Sequence, residues 1–148
     1  MHERLRRDEG QELVEYAIVF IVLMTLTLGI IEFGIVLFTQ NSLSNAAREG
    51  ARWAVVRRSS PAPSTYLPAI GGTIGPQTCS SASNAIITQA CEKALALDPT
   101  LMQVTVFRPN RDNLRVRVQY SYQPFFGLIE QFFSGGLTLG SQSNMRLE

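Results

Sequence analysis

Gly10-Gln11-Glu12-Leu13-Val14-Glu15-Tyr16 opens an apolar run that continues to Phe38. On its amino side, residues 1–15 hold Arg4, Arg6 and Arg7 with five acids, whereas residues 16–31 hold no charge. From Tyr16 to Phe38 there are 23 residues with one carboxylate, Glu32. At about 1.5 Å per residue, a helix of this length crosses a hydrocarbon core of about 30 Å. A cleaved secretory signal has a shorter apolar core followed at once by a small-residue cut site. A helix apolar all round for roughly six turns suits lipid or a filament interior better than the core of a small soluble domain. The stretch therefore predicts one membrane-spanning helix.

Outward from that helix the composition is less directive. The chain has 148 residues and a net charge of +1, room for one long helix and one small domain. Its cations are almost all arginine, Lys93 being the sole lysine, and they are scattered, so nucleic acid is not an expected partner. Arginines flank the apolar run on both sides, with Arg48, Arg52, Arg57 and Arg58 following it, so charge counting alone does not set orientation. The closer group is amino-terminal, which favours that end in the cytoplasm.

No proline interrupts residues 12–56, which predicts a helix of about 67 Å that continues beyond the membrane as a stem. Residues 59–78, with four prolines and Gly71, Gly72 and Gly75, read as a loop. Their Gly-Gly-Thr-Ile-Gly run lacks the Lys-Ser or Lys-Thr of a phosphate loop. Ser83 or a neighbouring serine can cap a helix to about Leu97, ended by Asp98-Pro99. Met102, Val104 and Val106 then alternate with polar residues, as do Leu114, Val116, Val118, Tyr120 and Tyr122 beyond a turn at Pro109–Asn113. This predicts an antiparallel hairpin with one wet face. Phe125, Phe126, Ile129, Phe132 and Phe133 suit a short helix, either core or contact surface, and Leu137 to Leu147 alternates as a third strand. The expected fold is α+β: leader 1–10, transmembrane and stem helix 11–56, and an extracytoplasmic domain 57–148 of one helix on a three-stranded antiparallel sheet.

Cys79 and Cys91 lie in that outer region, where a disulfide is expected, two buried free thiols being the alternative. The bond would contribute about 3 kcal/mol in the chain-entropy model. With His2 the sole histidine, no metal centre or other cofactor is expected. Nor is there a nucleophile motif, and Asp112 and Glu130 read as turn or surface acids, so enzymatic activity is not expected.

Glycine, four residues, then Glu-Tyr opening an apolar helix resembles the prepilin peptidase site of type IV pilins, in the form used by tight-adherence pili. Ile31-Glu32-Phe33-Gly34 and Leu43-Ser44-Asn45-Ala46-Ala47-Arg48-Glu49-Gly50-Ala51-Arg52 are similar to the two motifs of TadE-like pseudopilins. The resemblance implies cleavage after Gly10, exposing Gln11, and a minor pilin or pseudopilin in the assembly of a tight-adherence pilus for surface attachment. It implies other pilin subunits, prepilin peptidase, the inner-membrane assembly platform and membrane lipid as partners. The rival is a permanently membrane-anchored extracytoplasmic domain that binds a partner outside any filament.

Within these motifs, Glu15 lies about one turn beyond Gln11, where its carboxylate can neutralise a Gln11 ammonium and set axial register, or merely complement the helix dipole. Glu32 falls about 24 Å along the apolar helix, near an interface, where it either reaches water or pairs with a partner helix. Ala46, Gly50 and Ala54 form a narrow ridge with Ala47 and Ala51 beside it, suited to close helix packing against another subunit or the chain's own sheet. Glu49 is placed to pair with Arg52, leaving Arg48 for another chain.

Overall fold

The computed structural model describes residues 2–57, 66–124 and 136–147, with only the backbone described for residues 2–10. Helix α1 runs without a break over His2–Val56. It starts earlier than the expected residue 12, continuing through residues 2–10, whose arginines, glutamates and leucine are good helix formers. The chain divides into two units, Met1–Val36 and Leu37–Glu148, so the stem part of α1 belongs with the domain that follows it.

In the first unit the apolar side chains point outward. Leu13, Tyr16, Ile21, Leu26, Ile30 and Phe33 are each more than 60% exposed, and 6% of the apolar window is buried. This helix is long and apolar enough to cross a membrane. The hydroxyls of Thr25 and Thr27 donate to the carbonyls of Ile21 and Leu23 at 2.8 Å. Both polar groups are thereby satisfied inside the helix, as a hydrocarbon environment demands.

The second unit packs the stem and helix α2 (Ala85–Glu92) on an antiparallel sheet ordered β1-β2-β3-β4. Its strands are β1 (Thr73–Thr78), β2 (Met102–Phe107), β3 (Asn113–Tyr122) and β4 (Leu137–Arg146). The sheet thus has four strands where three were expected. The extra one, β1, comes from the segment read as loop. It lies at an edge, where proline is tolerated, and its pairing with β2 shifts register between Ile74 and Gln77, around Gly75-Pro76. Gly75 has φ +95°, and a Cβ there would stand 2.6 Å from the Val104 carbonyl oxygen, so the bulge requires glycine.

The expected hairpin and last strand are present, with β3 in unbroken register against both β2 and β4. Asn110 shapes the turn, its side-chain oxygen accepting from the backbone N–H of Asp112 and Asn113 at 3.2 and 2.8 Å. Alternation puts Val104, Val106, Leu114, Val116 and Val118 in the core, all 0% exposed.

Helix α2 is shorter than its expected span at both ends. Asn84, not a serine, caps it: its Oδ1 accepts from Ile86 N–H and its Nδ2 donates to the Tyr66 carbonyl, both at 2.9 Å. The helix stops at Glu92; beyond it the Ser42 hydroxyl donates to the Leu95 carbonyl at 3.2 Å and Ala96 turns to φ +60°, a conformation that does not continue a helix. Cys79 and Cys91 form a disulfide with Cα atoms 5.6 Å apart, tying the end of β1 to α2. The aromatic segment expected to be helical at residues 125–133 lies outside the described residues, as does Glu130.

Candidate assembly helix and stem

The residues singled out from the sequence divide between two environments. Gln11, Glu15 and Tyr16 stand exposed at the start of the apolar helix, where Tyr16 stacks on Phe20 with ring centroids 6.4 Å apart. Gly10 lies within the helical backbone just before them. Farther along, Glu32 is 1% exposed and is not without a partner, so its carboxylate does not reach out to solvent.

The two motif glycines differ in kind. A Cβ built on Gly34 meets nothing within 4 Å, and the side chains of Phe33 and Leu37 around it are exposed. A Cβ on Gly50 would meet Ala90 Cβ at 3.0 Å and the Ile86 carbonyl oxygen at 3.4 Å. Gly50 is therefore small because α2 crosses it, whereas Gly34 lies open.

The ridge Ala46, Gly50 and Ala54, together with Ala47 and Ala51, is buried in the second unit, the four alanines and Leu43 at 0% exposure. Close approach of backbones here serves the chain's own sheet and α2. The opposite face of the stem is polar: Asn41, Asn45, Arg48 and Arg52 are exposed at spacings of three and four. Arg52 pairs with Glu49 at 3.8 Å, as its spacing predicts, and the exposed pair contributes little to stability. Arg48 presents its guanidinium on the same face.

Sequence reasoning missed the cluster closing the carboxyl end of the stem. Tyr66 packs edge-on against Trp53, with centroids 5.2 Å apart, and its hydroxyl donates to the Arg57 carbonyl. The Arg57 guanidinium lies 4.5 Å from the centroid of Trp53. The Trp53 to Arg57 spacing of one helical turn was a usable signal. Gln40 also anchors the stem, donating to the Gly140 carbonyl at 3.0 Å.

The helix that displays apolar side chains as far as Phe38, then buries alanines and glycine beneath a polar stripe, is also the segment that a family model matches. Residues 10–52 match the family model of the TadE-like protein. This part of the chain is similar to TadE-like proteins. The match begins at Gly10 and ends at Arg52, so it covers both glycines and the whole polar stripe but none of the sheet. No curated protein matches the chain, and no solved structure does. Among the described residues, no group of three His, Cys, Asp or Glu side chains is placed to hold a metal ion.

Proposed function

We propose that this chain is a TadE-like minor pilin, or pseudopilin, cleaved after Gly10 by prepilin peptidase and used in assembling a tight-adherence pilus for surface attachment. The observation that carries this reading is the family match starting at Gly10, on a helix almost all of whose apolar side chains are exposed. Such a surface requires lipid before assembly and neighbouring apolar helices after it.

In this reading the amino end faces the cytoplasm, residues 1–10 are removed, and the sheet domain lies outside the membrane. Cleavage creates a Gln11 ammonium next to Glu15, which supplies the countercharge inside the apolar bundle and fixes the axial offset between neighbours. Gly34, with open space above it, is where a neighbouring helix can approach closely. The stripe of Arg48, Glu49 and Arg52 faces other subunits or the assembly platform. The stem ridge has a different task, holding the domain on its helix. Nothing in this mechanism calls for catalysis by the chain itself.

The test is the intact mass and amino-terminal sequence of the protein produced with and without prepilin peptidase, alongside Gly10→Ala. Peptidase-dependent loss of residues 1–10, blocked by the variant, is the expected result. An intact Met1 form under both conditions would instead support the permanently anchored partner-binding domain.

A further inference from the structure

The face of the sheet turned away from the stem carries charge of one sign. Register pairs Arg115 with Asn144 and Arg117 with Gln142, while Asn113 faces Arg146. On the other side of β3, Thr105 lies opposite Arg117 and Phe107 opposite Arg115. Since these positions alternate with the core valines, their side chains share the outer face. Among the described residues, that face holds three arginines, several amides and hydroxyls, and no carboxylate.

Two shallow hollows lie on this face and meet at Arg117. One, of about 360 Å³, is lined by Arg117, Gln119, Gly140, Ser141 and Gln142. The other, of about 240 Å³, is lined by Thr73, Thr105, Phe107, Arg115 and Arg117. Together they make a track across all four strands, about 14 Å at the usual strand spacing. Guanidinium groups present forked donors matched to carboxylates, and the amides beside them both donate and accept, as vicinal hydroxyls require.

We propose that this sheet face binds an acidic polysaccharide, its carboxylates taken by Arg115 and Arg117 and its hydroxyls by Gln119, Gln142 and Thr105. The track favours an extended chain over a single phosphate or lipid headgroup, which would fill one hollow. A peptide strand would add at a sheet edge, whereas the backbone groups of β2 and β3 are already paired. Single-stranded nucleic acid uses several aromatic stacking platforms, and among the described residues this face offers Phe107 alone. The binding does not depend on cleavage after Gly10 or on entry into a filament.

The test is binding of polygalacturonate oligomers to the full chain in detergent micelles, with dextran as the neutral control. Arg117→Gln and Arg115→Gln, both on a solvent-facing surface, are compared with Lys93→Gln after thermal melting shows each folded. The expected result is binding of polygalacturonate but not dextran, weakened at least tenfold by each arginine substitution and unchanged by Lys93→Gln. The proposal is overturned if polygalacturonate does not bind, or if Arg117→Gln binds as wild type. Equal or tighter binding of phosphatidylglycerol vesicles or of an oligothymidylate would overturn it as well, assigning the face to lipid or nucleic acid.

Discussion

Replacing each of the two motif glycines with leucine separates the part of α1 that serves its own domain from the part left open to others. At Gly50 the first added carbon already lies 3.0 Å from Ala90 Cβ, against about 3.5–4.0 Å for ordinary carbon contact. The remaining three carbons enter a layer where Ala46, Ala47, Ala51, Ala54, Ile86 and Ala90 are all 0% exposed. Overpacking of this kind costs about 3 kcal/mol, and the better helix propensity of leucine returns about 0.8 kcal/mol. A net loss of about 2 kcal/mol lowers the melting temperature by about 8 °C, at roughly 4 °C per kcal/mol for a domain of this size. The readout is thermal melting of the full chain in detergent by near-ultraviolet circular dichroism, Trp53 reporting on the stem. Gly34→Leu, with nothing within 4 Å, leaves that melt unchanged. A Gly50→Leu protein melting within about 2 °C of wild type would refute the reasoning, because α2 would then not be what holds position 50 small.

Three further outcomes are expected. Cys79→Ser with Cys91→Ser removes the cross-link over a separation of 12 residues and costs about 3 kcal/mol in the chain-entropy model, so the wild-type protein with reductant should melt like the double variant. Asn84→Ala removes the cap of α2 and leaves the Tyr66 carbonyl without its donor, costing about 2 kcal/mol in denaturant unfolding, while Ser83→Ala changes stability by less than about 0.5 kcal/mol. The Thr100 hydroxyl, and then the Thr100 backbone N–H, hold the Asp98 carboxyl below its ordinary value of 3.8. A lowered folded value means that the stabilisation is present above the unfolded pKa and is lost as pH falls below about 4. Carboxyl-resolved NMR titration should place the Asp98 midpoint higher in Thr100→Ala, and an unchanged midpoint would remove the assigned cause.

The apolar helix and the β2–β3 hairpin were legible because each has a single periodicity with an uninterrupted pattern. Strand β1 was not, since Gly75 and Pro76 are breakers in isolation, and what rescues them is an edge position with a bulge, a property of the neighbouring strand. The end of α2 was misjudged for a related reason. Lys93, Ala94, Leu95 and Ala96 favour helix locally, but the chain turns at Ala96, φ +60°, beside a contact made by the Ser42 hydroxyl, 53 residues earlier, on the Leu95 carbonyl. The ridge of Ala46, Gly50 and Ala54 announced close packing without naming its partner, because small residues fit a neighbour's helix and one's own equally well. Only Ala90, placed over Gly50 by the fold, distinguishes them for the stem.

The core joins Leu43 on the stem to Leu147 just beyond β4, both essentially inaccessible to solvent. The domain is therefore closed by its most distant segments, and β4, paired in register along all of β3, comes last in the chain order of its strands. A chain emerging amino end first cannot complete this core while β4 is still to come, and until then the stem's apolar face stays uncovered. Contacts of such long sequence separation make folding slow relative to local structure. The disulfide spans only a short loop and can form early, so it is suited to holding α2 near the end of β1 while the core waits for its final strand.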